Sequence, residues 1–273
     1  MPPEAPVRTG MVDLHCHVLP GIDDGAADLD EAVVMCRHAL RDGCTALVAT
    51  PHTRHPRWRN DDHRLLERLC GELRDALPEG PEIHLGGEIA VHTESVDEIF
   101  ARRPEDPGAL GLAGSRYLLL ELDWRGLGPD PVELVHELAV AGWLPVIAHP
   151  ERVSWLARNP PLLAALVSHG ALLQVTAQSL TGDLGRMAQN CAAALLDNNL
   201  VHFVASDAHD PRIRPTGLQA AYLAVCRARD ETVAERIFFA HPRAVMENRP
   251  VAGEPAGKPA PRERPVAHPA PTA

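Results

Sequence analysis

Seven short apolar runs, each followed by a helical pattern, constrain this 273-residue chain more than any other feature. They predict strands over 10–15, 46–50, 83–85, 117–121, 144–148, 171–175 and 201–205. Runs that are apolar on both faces belong in a parallel sheet covered by helices. The first helical pattern starts at an N-cap, Asp28, with Glu31 at N3, and stops at Gly43. Others follow over about 61–77, 131–141, 160–169, 184–197, 215–228 and 231–240. Seven such units with no compositional break between them suit a single distorted (β/α)7 barrel, TIM-barrel-like but one unit short. A doubly wound open sheet is the alternative, because local patterns do not report closure.

Composition sets the boundaries of that unit and excludes some functions. Apolar residues are 45% of the chain and aromatics 4%, so aliphatic side chains must fill the core. A formal charge of −11 argues against a nucleic-acid surface. The six cysteines form no Cys-x-x-Cys pair, as expected for reduced thiols in a cytoplasmic protein. Residues 1–10 lack the apolar segment of a secretory signal and are expected to be flexible. No run reaches the roughly 18–20 apolar residues of a membrane span, so no membrane insertion is expected. One domain over 11–248 is expected, followed by a disordered Pro/Ala-rich tail over 249–273.

The polar residues that end the apolar runs carry the chemistry. The first run ends at His15 and His17, the second at His52 and the third at Glu88. The fourth ends at Glu121, the fifth at His149, and the seventh at Asp207 and His209. Asp23 or Asp24, on the loop after the first run, adds a carboxylate; the pattern does not choose between them. In β/α barrels the functional groups stand at the C-terminal ends of strands, where these residues fall. By contrast, His84 and His202 lie within runs and are expected to be hydrogen-bonded core residues. His55, His63, His92 and His136 are expected at solvated positions.

Nine histidine and carboxylate positions exceed one tetrahedral site and suit two or three divalent cations. Ligation without thiolate fits Mn²⁺, Zn²⁺ or iron; Cys16 is expected to point away into the wall. Three divalent cations against four carboxylates leave the pocket about two charges positive, which selects a dianion such as a phosphate monoester. Arg152 and Arg214, each just past a candidate ligand, would add forked contacts to phosphate oxygens. No cysteine has the Cys-x5-Arg spacing of a thiol phosphatase, so direct attack by an activated water is the expected chemistry.

His15-x-His17, Thr50-Pro-His52, Gly86-Gly-Glu88, His149-Pro-Glu-Arg152 and Ser206-Asp-Ala-His209 resemble the PHP (polymerase and histidinol phosphatase) superfamily. Within it, Leu19-Pro-Gly-Ile-Asp-Asp-Gly25, Arg116-Tyr-Leu-Leu-Leu-Glu121 and Gly170-Ala-Leu-Leu-Gln-Val-Thr176 resemble bacterial metal-dependent protein-tyrosine phosphatases. These are the CpsB/YwqE type, encoded with capsule and exopolysaccharide genes. The likeness runs in order from about Met11 to Asn248.

The resemblance implies a seven-stranded barrel and three cations, with Mn²⁺ first and Zn²⁺, Fe²⁺ or Mg²⁺ as alternatives. One cation would take His15, His17, Glu88 and Asp207. A second would take Glu88, Glu121 and His149, and the third Asp24, His52 and His209. It also implies that Arg152 and Arg214 contact phosphate. The implied partner is a phosphotyrosine protein, a cognate bacterial tyrosine kinase, and a homo-oligomer is compatible with the family. The rival readings are a histidinol-phosphate-like small-molecule phosphatase and a non-catalytic PHP binding module. Loop 53–60 does not carry the family pattern.

Overall fold

The computed structural model describes residues 7–251. It opens with β1 (Met11–Cys16), α1 (Leu29–Arg41), β2 (Cys44–Ala49), β3 (His52–Thr53) and α2 (His63–Asp75). Next come β4 (Glu82–Leu85), β5 (Glu88–Ala90), α3 (Thr93–Phe100), β6 (Tyr117–Glu121) and α4 (Pro131–Val140). The middle holds β7 (Leu144–Ile147), α5 (Ser154–Ala157), α6 (Pro160–Ser168), β8 (Leu172–Thr176) and α7 (Ala177–Thr181). It closes with α8 (Arg186–Asp197), β9 (Phe203–Ala205), α9 (Gln219–Ala228), α10 (Glu231–Glu235) and α11 (His241–Met246).

All strand pairings are parallel, in two sheets of order β1-β2-β4 and β3-β5-β6-β7-β8-β9, curled into a half-barrel. Two short strands, β3 and β5, come in addition to the seven expected. Pro51, which has no N–H, separates β2 from β3, and Gly86-Gly87 separates β4 from β5. Both gaps stay in register, because Gly86 N donates to Ala49 O at 2.9 Å and Glu88 N to Pro51 O at 3.0 Å. On the other side the segment after β9 reaches β1. Asp207 N donates to His15 O, and His17 N to Ala208 O, both at 2.8 Å.

Strand side chains alternate between two apolar clusters, which is why the runs look uniformly apolar. Val12, Leu14, Val48, Leu119, Val146 and Phe203 form one, plugged by Leu112, Val245 and Val251. Leu47, Leu118, Leu120, Ile147, Val175 and Val204 join the other, against helix residues such as Met35, Leu66, Leu138 and Leu166. Local signals place the helix starts. Asp28 Oδ1 accepts from Glu31 N at 2.9 Å, while Glu31 reaches back to Ala27 N rather than to the cap itself. Gly43 ends the turn after α1 at φ +96°, where a Cβ would meet Arg8 O at 2.0 Å.

Several boundaries differ from expectation. The last helix does not stop at 240; it passes through a π turn (Arg236–Ala240) into α11. The packed unit also extends beyond 11–248. Arg8 pairs with Glu235 at 2.7 Å, and Tyr117 Oη donates to Arg249 O at 2.7 Å. Val251 is only 2% exposed. Packing therefore continues into what were expected to be a flexible arm and tail; residues 1–6 and 252–273 lie outside the described residues. No helix among the described residues is long and apolar enough to cross a membrane.

Candidate metal centre

The strand ends converge because the backbone turns sharply there. Pairing of β1 with β2 shifts register between Asp13 and Cys16, and His15 Nε2 comes 3.2 Å from His17 Nε2. Cys16 faces the other way, its Sγ donating to Val48 O at 3.4 Å. His149 and Asp207 sit at φ +30° and +52°, left-handed backbone that L residues rarely adopt. Such conformations cost on the order of 1–3 kcal/mol each and persist where the surroundings enforce them. Gly25 is required for close approach, since a Cβ there would lie 2.1 Å from His17 O.

Glu88, 1% exposed, is the hub of the cluster. Its Oε1 lies 2.9 Å from His149 Nε2 and 3.4 Å from His15 Nε2. Its Oε2 lies 3.0 Å from His52 Nδ1 and 3.3 Å from His17 Nε2. Asp207 Oδ1 lies 3.4 Å from His15 Nε2 and 3.6 Å from His209 Nδ1. Asp24 Oδ1 spans His52 Nε2 at 3.4 Å and His209 Nε2 at 3.5 Å. Glu121 Oε2 is 3.7 Å from His52 Nδ1. All nine expected positions thus fall into four overlapping groups of potential donors: His17/Asp24/His52/His209, His15/His149/Asp207, His15/His17/Glu88 and His52/Glu88/Glu121.

Gln174, which the strand-end pattern did not single out, orients these histidines together with Asp23 and the backbone of Asp207. His15 Nδ1 donates to Gln174 Oε1 at 3.0 Å, and His17 Nδ1 donates to Asp23 Oδ2 at 2.9 Å. His209 Nδ1 donates to the carbonyl of Asp207 at 2.9 Å. Each bond occupies Nδ1 and leaves Nε2 facing the cluster, the arrangement metal-binding imidazoles use. Asp23 and Asp24 thereby separate: Asp23 turns back onto His17 and His52 N, and Asp24 turns forward onto His52 and His209.

The charge balance calls for cations. Burial pushes the His17 imidazolium down, but Asp23 and Glu88 overcome it and raise the pKa to about 9. For His52, burial is likewise overcome by Asp24, Glu88 and Glu121, which raise it to about 11. Burial and the neighbouring Glu88 charge raise Glu121. Burial opposes ionisation of Asp207 and Glu88 too, yet the surrounding imidazoles hold both below the usual carboxylate range. Two imidazole nitrogens face to face at 3.2 Å, and a buried His149 Nδ1 without a hydrogen-bond partner, mark places for a positive charge. A purely nitrogen and oxygen donor set fits divalent cations of the Mn²⁺, Zn²⁺ and Fe²⁺ kind.

A cavity of about 190 Å³ opens onto this cluster. All the expected residues line it except His15 and His17, which lie fully buried beneath. Arg152 Nη1 and Arg214 Nη2 both contact Asp207 Oδ2, the latter at 2.5 Å. The Arg214 loop is shaped by Asp210, whose Oδ2 accepts from Arg214 N at 3.1 Å. His55, expected in solvent, is half-buried in the wall, with its ring 5.1 Å from that of His52. Trp58 and Trp124, also absent from the strand-end pattern, complete the lining. His92 caps α3, its Nε2 donating to Arg54 O at 2.7 Å. A larger open groove of about 500 Å³ beside Arg54, Arg102 and Asp106 holds none of the candidate ligands.

A curled parallel α/β sheet with a histidine–carboxylate cluster over its strand ends is the architecture of a metal-dependent hydrolase. The chain belongs to the CpsB/CapC family of capsular polysaccharide synthesis, which it matches over residues 11–247. It is 36% identical to tyrosine-protein phosphatase YwqE of Bacillus subtilis (strain 168) over 213 residues, covering 77% of this chain and 82% of that one. Tyrosine-protein phosphatase CpsB of Streptococcus pneumoniae is 25% identical over 243 residues, covering 86% and 98%. A solved structure described as YwqE from B. subtilis and CpsB from S. pneumoniae, metal-dependent tyrosine phosphatases, superposes with a TM-score of 0.82 at 30% identity, over 93% of this chain and all of that one. A β-aspartyl dipeptidase at 14% identity and TM-score 0.55 shares the fold alone.

Proposed function

We propose that this protein is a metal-dependent phosphatase that hydrolyses phosphotyrosine on a protein, with a tyrosine kinase of capsule or exopolysaccharide synthesis as its partner in the cytoplasm. The observation that carries this reading is the cluster around Glu88, with two arginines in the lining of one small cavity. On this reading β2 with β3, and β4 with β5, are two interrupted staves, and the barrel has the seven units of the PHP type.

His15, His17, Asp24, His52, Glu88, Glu121, His149, Asp207 and His209 would hold the cations, three in number and Mn²⁺ by preference. Bound divalent cations supply Lewis acidity and lower the pKa of water toward neutrality, which would make water a competent nucleophile at pH 7. The chain's own residues do the rest. Asp207 holds both guanidinium groups in the cavity lining, so Arg152 and Arg214 are placed to bind phosphate oxygens. Glu88 and Asp207 stay ionised, while Asp23 and Gln174 hold the histidine rings in one orientation. A phenolate leaving group, with a pKa near 10, departs with less proton assistance than a serine alkoxide. No cysteine lines the cavity.

The test is hydrolysis by metal-loaded protein of a phosphotyrosine peptide, the matching phosphoserine peptide and histidinol phosphate. The reading expects the highest kcat/KM on the first. Preference for histidinol phosphate would make this a small-molecule phosphatase, and no turnover of any of them would make it a binding module.

A further inference from the structure

We infer that Trp58 and Trp124 form an aromatic clamp at the cavity mouth that takes the phenyl ring of the substrate and makes the site select aryl over alkyl phosphates. This rests on the phosphatase reading above and names the part of the substrate that the metal-binding residues do not touch.

The chain has four tryptophans, and two of them line this cavity. The Trp58 ring lies 5.2 Å from that of His52 at an interplanar angle of 6°, and Trp124 lies 5.6 Å from His149 at 24°. His52 and His149 bind opposite oxygens of Glu88, at 3.0 and 2.9 Å. Each indole therefore backs one of the two imidazoles that flank this carboxylate, and the Arg57 guanidinium lies 4.6 Å from the centre of the Trp58 ring. A cavity of about 150 Å³ is enough for a benzene ring. One of about 190 Å³ has room for a phosphate with a single ring at the mouth.

Both indoles are held in place from behind. Arg54 and Asn60 take left-handed backbone, φ +56° and +45°, so that loop 54–60 folds back on itself. Asn60 Nδ2 donates to His52 O at 2.8 Å, and Arg54 N to Arg59 O at 2.8 Å. Trp124 Nε1 donates to Glu121 Oε1 at 2.9 Å, and the Arg152 guanidinium lies 5.5 Å from the centre of its ring. Beneath, Trp155 Nε1 donates to Asp123 O at 2.9 Å. Trp124 nevertheless remains 45% exposed. A large aromatic surface fixed in place yet left in water gains most from a flat apolar partner.

The experiment measures kcat/KM for phenyl phosphate and ethyl phosphate in wild type, Trp58→Ala, Trp124→Ala and the two Phe variants. Alongside it, binding of phenylphosphonate and methylphosphonate to the metal-loaded proteins is measured by calorimetry. The intrinsic reactivity of a phenyl ester cancels when the phenyl-to-ethyl ratio is compared between variants. Each Ala substitution is expected to lower that ratio, and the phenylphosphonate preference, about three- to tenfold. Phe is expected to restore most of both. Metal content is measured in every variant, because Trp124 also bonds Glu121. Loss of both substrates in equal proportion, or an unchanged ratio, overturns the clamp. So does wild type that binds the two phosphonates equally. Wild type that prefers phenylphosphonate but cleaves neither ester leaves the clamp standing and overturns the phosphatase reading.

Discussion

His17 Nδ1 donates to Asp23 Oδ2 at 2.9 Å, and the same carboxylate oxygen accepts from His52 N at 3.0 Å. Asp23 thus sets the orientation of two candidate ligands without facing the cluster itself. Burial pushes its carboxyl up, but His17 and two backbone donors bring it below the ordinary range, so it is ionised at neutral pH. Losing such a partner costs about 10–100-fold in metal affinity. Asp23→Ala is therefore expected to weaken cation binding by that factor, read by competition against a chromophoric chelator. An affinity equal to wild type would remove Asp23 from this role.

Exhaustive chelation is expected to abolish phosphatase activity, and divalent cations to restore it, Mn²⁺ most strongly. Nine histidine and carboxylate positions packed around Glu88 motivate this. Full activity in protein shown by elemental analysis to be metal-free would contradict it.

Arg214→Ala is expected to keep its metal and lose about 10²–10³ in kcat/KM, the usual effect of removing one charge-assisted contact to the transition state. Arg214→Lys should recover only part, since it keeps the charge and loses the fork. His209→Ala should lose metal together with activity. Metal stoichiometry measured beside kcat/KM on a phosphotyrosine peptide separates the cases. An Arg214→Ala enzyme as fast as wild type would end the phosphate assignment.

His202 gives the fold an acid-sensitive point away from the cavity. Its Nδ1 accepts from Leu173 N at 3.1 Å. Burial, with His241 and Arg236 nearby, pushes its pKa down from 6.5 to about 4. The unfolded chain therefore binds a proton that the folded one refuses between these values. Stability is full above pH 6.5 and falls as the pH drops toward 4, by up to about 3 kcal/mol. His202→Asn, which keeps an acceptor for Leu173 N, is expected to flatten this dependence in metal-stripped protein. Parallel curves of Tm against pH for the two proteins would refute it.

Val251 closes the cluster formed by Val12, Leu14 and Phe203. Burying a valine fully contributes about 1.5–3 kcal/mol. A chain ending at Arg249 is expected to be less stable than one ending at Val251 by about that amount in urea unfolding. Equal midpoints would mean that Val251 adds nothing to the cluster.

The residues of the cluster were legible because all but Asp24 stand at or just past the end of an apolar run, a signal that lies along the chain. What surrounds them is less so. Gln174 stands as a polar break inside Leu172–Thr176, and that break was the available clue to a buried bonding role. Asp23 and Asp24 are chemically alike, and only the loop closed by Gly25 turns them in opposite directions. Pro51 and Gly86-Gly87 were visible as strand ends, but resumption of pairing in β3 and β5 depends on neighbours distant in sequence. Trp58 owes its place to left-handed backbone at Arg54 and Asn60, residues with no obligation to adopt it.

Asp13 Oδ1 accepts from Ser206 N across 193 residues of chain, and His15 meets Asp207 through the same seam. A ribosome releases His15 and His17 long before it joins Asp207 and His209 to the nascent polypeptide. Until then the emerging chain lacks Asp207 and His209, which belong to two of the four donor groups, and the seam that would hold His15 in place is open. Capture of the full complement therefore waits until translation has passed the last strand and the seam has shut. The choice among competing metals then falls to the finished protein rather than to its emerging chain.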